Sequence, residues 1–407
     1  MTSTIQLNPN ESFNFEILRI LGHARYAGAD VGEVLRAAAL VQPGNFESFY
    51  DAFYKLAVRI RSQADAIDAA RNPVSARDAY FRASTYFRTA GFYLNGHAED
   101  VRITAVWDEQ IVNFDKAIKL LPIPGERLLL RGEGFDIPAV FYRALPATKP
   151  KPTVIVSTGF DGGQEELLHA FGFAALERGY NFITYEGPGQ GSVRRRQGLG
   201  FTHEWEKAVK PVVDYLVARP DVDVSRLALI GWSLGGYLCV RAAAFEPRLS
   251  AVLAIDGVYN AFPGFYNLLS PAVRAAYDDG DSDQANALIR DELASGSAPT
   301  TMRWALEHGI WSFAASSAVD FLKKVELMSL KGIADRVKCP VLVGEAADDM
   351  FFKGQPAQAA AALGDRATHL VLTAEDAAGP HCHIGALSFA NHLFYDWLED
   401  VFSTFIL

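Results

Sequence analysis

The segment Gly231-Trp-Ser-Leu-Gly235, followed by Gly236, sets one serine among glycines. It follows the apolar run Leu227–Ile230 and opens an apolar helical pattern through Leu238, Val240 and Ala244. A sharp strand-to-helix turn strains the backbone of its central residue, and flanking glycines let neighbouring chain approach closely. Ser233 is therefore the expected nucleophile, exposed at the positive end of a helix. A serine hydroxyl needs a base. An imidazole in that role needs an acid to fix its tautomer and stabilise the imidazolium.

The chain order expected for this arrangement is serine, acid, histidine. Near the C-terminal end, His369 falls within a predicted strand and His392 within the final predicted helix. His381 and His383 lie in a loop, Ala377-Ala-Gly-Pro-His-Cys-His383. His381 directly follows the Gly-Pro turn and is the preferred base, with His383 in reserve. Asp348 and Asp349 follow the predicted strand Pro340–Val343. Asp349 occupies the usual place of the acid, and Asp348 comes one residue early. Asp256, ending the preceding strand, competes as an acid or as a substrate-facing group.

Two backbone N–H groups should hold the oxyanion that serine attack creates. Leu234 supplies one, just after the nucleophile. Phe160 is the candidate for the second, in the loop Ser157-Thr-Gly-Phe-Asp-Gly-Gly163. Glu186-Gly-Pro-Gly-Gln-Gly191 reads as a structural turn supporting that rim. Neither dinucleotide spacing nor a Walker lysine accompanies these glycines. Only three cysteines occur, Cys239, Cys339 and Cys382, without disulfide or zinc spacing. No metal or cofactor is expected.

Periodic patterns supply the elements that must position these groups. Short apolar runs at Arg127–Arg131, Ile137–Tyr142, Thr153–Ser157, Asn181–Tyr185, Leu227–Ile230, Leu249–Ile255, Pro340–Val343 and His369–Leu372 read as strands. Helical patterns separate most of them, so the fold class is α/β, with a mainly parallel sheet covered on both faces. Residues 1–122 read as an N-terminal helical lid region. Residues 123–258 and 336–407 form the two parts of the core, and residues 259–335 a helical cap. Ser75 and Asp78 look like a capping box, with Gly96 ending that helix. Arg194-Arg-Arg196 reads as a solvated turn.

With 407 residues and a net charge of -10, the chain lacks a basic field for a nucleic acid. It shows neither a membrane span nor a secretion signal, and a cytoplasmic protein is expected. The aromatic N-terminal helices could bury a homodimer face.

The chain resembles the alpha/beta-hydrolases related to 2,6-dihydroxypseudooxynicotine hydrolase and to the fungal polyketide-shortening hydrolases of conidial pigment pathways. The resemblance rests on Ala76-Arg-Asp-Ala-Tyr-Phe-Arg-Ala-Ser-Thr-Tyr-Phe87, Glu186–Gly191, Gly231–Gly236 and Glu246-Pro-Arg-Leu249. Asp348-Asp-Met-Phe-Phe-Lys-Gly-Gln-Pro356 and His381-Cys-His383 complete it. It covers nearly the whole chain. It implies an alpha/beta-hydrolase fold, a triad of Ser233, Asp349 and His381, and N-terminal helices that help cover the site. Members hydrolyse carbon–carbon bonds in ketones or diketones, or release and trim polyketide chains. The expected function is hydrolysis of a carbon–carbon bond in a polyketide or aromatic β-diketone. The alternatives are an esterase, thioesterase or lactonase acting on a polyketide chain, and a non-catalytic binding protein on the same fold.

Overall fold

The computed structural model describes residues 6–94 and 99–404. Its sheet has eight strands. They are β1 (Glu126–Arg131), β2 (Asp136–Tyr142), β3 (Lys151–Ser157), β4 (Asn181–Tyr185), β5 (Val222–Trp232), β6 (Ala251–Ile255), β7 (Val341–Ala346) and β8 (Ala367–Leu372). Their spatial order is β1-β2-β4-β3-β5-β6-β7-β8. β1 pairs antiparallel with β2, and β2 with β4; the remaining pairs are parallel. Every residue of β4 and β6 is buried, because helices cover both sheet faces. All eight predicted strands are present. β5 starts earlier than expected, at Val222, and β6 later, at Ala251.

This order decides where chemistry can occur. The chain leaves β3 for β4 on one side and then returns to β5 on the other. The loops after β3 and β5 therefore open side by side at the carboxyl edge of the sheet, the usual crevice of such folds. The ends of β6 and β7 follow along the same edge.

Among the described residues, five α-helices precede the sheet: α1 (Glu11–Gly22), α2 (Val31–Ala38), α3 (Phe46–Asp65), α4 (Pro73–Ala90) and α5 (Arg102–Ile118). α3 buries Phe49, Phe53, Ala57 and Ile60, the predicted face at three- and four-residue steps. α4 starts before Ser75. Pro73 occupies its first turn, where a missing N–H costs nothing, and Ser75 and Asp78 lie inside the helix. Asp78 pairs instead with Arg77 at 2.8 Å. Gly96 lies outside the described residues. Phe53, Phe81, Tyr86 and Phe87 of this region are buried within the chain itself, whereas Tyr54 is exposed.

Between β6 and β7 stand five further helices, from Phe262–Tyr266 to Ala318–Glu326. The last helix, Leu387–Ser403, buries Phe394, Tyr395, Leu398 and Phe402. Arg194, Arg195 and Arg196 do not form a solvated turn. They lie on the helix Gly191–Gln197, where Arg195 is flanked by two indoles. Among the described residues, no helix is long and apolar enough to cross a membrane.

Candidate active site

Ser233 follows β5 with φ at 63°, a left-handed value that costs energy for any residue with a side chain. The turn is held from both sides. The Ser233 N–H donates to the Ile255 carbonyl at 2.8 Å, and the Gly236 N–H donates to the Ser233 carbonyl at 2.7 Å. A side chain at Gly231 would place its Cβ 1.8 Å from the Gly235 carbonyl oxygen, so this crossing needs glycine.

His381 reaches the serine. Its Nε2 lies 2.8 Å from Ser233 Oγ, and its Nδ1 donates to Asp349 Oδ2 at 2.8 Å. Asp349 Oδ1 accepts the N–H groups of Phe351 and Phe352 at 2.6 and 3.0 Å, which sets the carboxylate plane. Asp256 Oδ2 approaches the same Nδ1 to 2.7 Å and accepts the Cys382 N–H at 2.5 Å. Burial works against an imidazolium here. Asp349 and, more weakly, Asp256 outweigh it and push His381 well above its ordinary range. Burial likewise opposes ionisation of Asp256, yet the adjoining imidazole holds its carboxyl well below the usual range.

The backbone that presents His381 is strained. Cys382 and His383 both adopt left-handed φ, at 59° and 55°. The turn is pinned by the Cys382 N–H on Asp256 and by the His383 N–H on the Pro380 carbonyl at 2.8 Å. His383 points elsewhere: its buried Nδ1 bonds the Ala378 carbonyl at 2.9 Å. Asp348 is exposed, and its N–H donates to the Gly379 carbonyl at 2.9 Å. The structure therefore brings together Ser233, His381, Asp349 and Asp256, and leaves out His383 and Asp348.

Leu234 and the β3 loop meet at Gly159, where a Cβ would lie 2.6 Å from the Leu234 nitrogen. Gln190 cradles this loop: its Nε2 donates to the Thr158 and Gly159 carbonyls at 2.8 and 3.1 Å. The expected support from Glu186–Gly191 thus has a named donor, which the sequence reading did not single out. The Phe160 carbonyl receives a further contact from His308 Nε2 at 2.8 Å. Glu186 accepts the Ser192 N–H at 2.7 Å, away from the serine, and burial with nearby Glu165 raises it to about 7.

A cavity opens over Ser233 and His381. Its walls come from three segments: Phe15 of α1 with Phe92 of the turn after α4, Phe265 and Trp304 from the helices between β6 and β7, and Phe160 and Phe351 from loops after β3 and β7. Arg19 of α1 also lines it. Arg19 Nε and Nη2 form a forked bond to Glu166 at 3.0 and 2.8 Å. Its Nη1 reaches Glu16 at 2.9 Å and Asp161 at 3.1 Å, so α1 is tied to the loop carrying Phe160. The clue in the sequence was Glu16, a charge on the apolar face formed by Phe13, Ile17 and Ile20.

Residues 157–388 match the alpha/beta hydrolase family. The chain belongs to that family. It is 34% identical to hydrolase LUC6 of a Fusarium species, over 98% of each chain. It is 32% identical to 20-hydroxy-prefusarin hydrolase FUS2 of Gibberella moniliformis, over 97% of each. The solved structure of 2,6-dihydroxy-pseudo-oxynicotine hydrolase superposes with a TM-score of 0.74 at 20% identity, covering 94% of this chain and 95% of that one. That likeness shows the fold, helical start included.

Asp256, His381 and Cys382 bring one ligand-type atom each within 4.8 Å of one another. They do not suit a metal ion. Both nitrogens of His381 already face hydrogen-bond partners in this hydrolase, and burial pushes the Cys382 thiol up, away from the thiolate a metal needs.

Proposed function

We propose that this enzyme is a serine hydrolase that cleaves a carbon–carbon bond in a polyketide or aromatic β-diketone, with Ser233, His381 and Asp349 as its triad. The observation that carries the reading is the line Asp349–His381–Ser233 on the floor of a cavity walled by aromatic rings. The aromatic lining suits a flat, apolar organic substrate. The relative named 20-hydroxy-prefusarin hydrolase supports a substrate of that kind.

Ser233 Oγ adds to a substrate carbonyl while His381 Nε2 takes its proton. The Leu234 and Phe160 N–H groups hold the resulting oxyanion. Collapse of the adduct re-forms the carbonyl and breaks the bond to the neighbouring carbon. That carbon leaves as an enolate, because the second carbonyl of a β-diketone accepts the electron pair. His381 returns the proton to it. Water, deprotonated by His381, then frees the acyl group from Ser233 as a carboxylic acid. Asp349 keeps the imidazole in the correct tautomer throughout.

Turnover of an aryl β-diketone against the ester of the same acyl group tests the reading. Release of both the ketone and the acid from the diketone is expected. Ester hydrolysis without any diketone cleavage would replace it with an acyl-releasing esterase.

A further inference from the structure

A second cavity adjoins the first. Phe92, Phe160, Asp161 and Gly162 line both, so the loop that carries Phe160 is the partition between them. The guanidinium of Arg195 faces this second space between two indoles, 4.2 Å from the centre of Trp107 and 4.7 Å from that of Trp311. Such stacking fixes the plane of the guanidinium without occupying its N–H groups.

Those groups are only partly used. Arg195 Nη1 donates to the Gly191 carbonyl at 3.3 Å, while the buried Nε has no partner. Among the described residues, no carboxylate comes within the 4.0 Å of an ion pair with it. Glu186 and Glu165 act on it only from further away. Three more lining residues carry buried atoms without a hydrogen-bond partner, Arg88 through its Nη2. Trp107 is 6% exposed and its Nε1 lacks an acceptor; Gln110 is 1% exposed and its Oε1 lacks a donor. Buried polar atoms are rarely left unpaired unless something else completes them. A guanidinium stacked on an indole whose own N–H lacks an acceptor, with no carboxylate in ion-pair range, matches the two oxygens of a carboxylate. Gln110 Oε1 would take a hydroxyl or a water next to that anion.

We propose that the second cavity is a tail subsite, which binds a carboxylate at the far end of an apolar substrate whose reacting carbonyl lies at Ser233. This rests on Ser233 being the nucleophile. Arg195 supplies the charge and the forked donors, Trp107 the added N–H, and Phe160 and Phe92 the passage between the two chambers.

The test uses the monomethyl esters of long-chain aliphatic dicarboxylic acids as carboxylate probes and the corresponding dimethyl esters as neutral controls. Binding is followed by calorimetry and tryptophan fluorescence on the full-length enzyme and its variants in a Ser233→Ala background, in which neither ester is turned over. Arg195→Met should weaken the carboxylate probe about tenfold or more and change the diester less than about twofold. Trp107→Phe keeps a ring under the guanidinium and should weaken the carboxylate probe severalfold. If Arg195→Met fails to melt cooperatively, Arg195→Lys carries the test, since it keeps the charge and loses the fork. Equal affinity of wild type and these variants for the carboxylate probe overturns the proposal. Mono-p-nitrophenyl esters of the same diacids give a kinetic check: Arg195→Met should raise KM for the free-acid form and leave kcat in place. Binding does not depend on turnover, so the two readings can fail separately. Intact carboxylate selectivity without Ser233-dependent turnover sinks only the nucleophile assignment. Ser233-dependent turnover without carboxylate selectivity sinks only the subsite.

Discussion

Asp256 brings a carboxylate oxygen to 2.7 Å from Nδ1 of His381, the nitrogen that also donates to Asp349 at 2.8 Å. The two acids differ in what else they hold: Asp349 is set by two N–H groups of its own loop, whereas Asp256 steadies Cys382. Asp349→Asn should lower kcat by about a thousandfold or more, because the imidazole loses its fixed tautomer. Asp256→Asn should cost far less. Its main effect should be on pH dependence. Asp256 helps to stabilise the imidazolium, so its removal lowers the pKa of His381 and frees the base at lower pH. The acid limb of kcat/KM should move to lower pH in Asp256→Asn. An unmoved limb would mean that Asp256 does not act on the base.

The distance of 2.8 Å between His381 Nε2 and Ser233 Oγ makes a second expectation direct. A fluorophosphonate probe should label the wild type and leave Ser233→Ala and His381→Ala unlabelled, with all three melting cooperatively. His383→Ala should still be labelled, since that imidazole bonds the Ala378 carbonyl rather than the serine. Labelling retained in His381→Ala and lost in His383→Ala would reverse the base assignment.

Much of this arrangement was legible locally. Continuous apolar runs marked the buried strands, since a strand covered on both faces has no polar side to alternate. The turn at Ser233 was visible because close backbone crossings demand glycine at fixed offsets. His381 stood out because it directly follows the Gly-Pro turn. What stayed hidden depends on partners distant in the chain. The sequence offered both Asp256 and Asp349 as acids, but not that they meet at one nitrogen, which requires β6 and β7 to be neighbours. Arg195 read as solvated because its indoles, Trp107 and Trp311, come from α5 and the cap. The capping-box pattern at Ser75 and Asp78 misplaces the start of α4, because the helix opens at Pro73, whose missing N–H costs nothing in a first turn.

Gln190 offers a third prediction. Its amide holds the Thr158 and Gly159 carbonyls, and through them the position of the Phe160 N–H. Gln190→Ala should slacken that loop without removing an oxyanion donor. The loss in kcat should then be about tenfold, smaller than for a deleted donor, with KM little changed. A rise in KM at constant kcat would place Gln190 in ground-state binding instead.

The Arg19–Glu166 fork predicts how stability depends on acid. Burial would raise the Glu166 carboxyl, but Arg19 and Arg88 reverse this and hold it at about 2, below the ordinary 4.5. A depressed carboxyl pKa stabilises the fold above the unfolded value, and the gain is lost as pH falls through the folded one. Glu166→Gln removes the charge opposite Arg19 Nε and Nη2, while Glu16 and Asp161 still face Nη1, and should cost about 2–3 kcal/mol at neutral pH. The gap between wild type and variant should narrow as pH falls from 4.5 towards about 2, since the unfolded chain takes up a proton at Glu166 across that interval while the folded protein does so only near its lower end. Urea unfolding at neutral and acid pH measures both. A gap that stays constant across the interval would show that the pairing with Arg19 does not depend on the charge of Glu166.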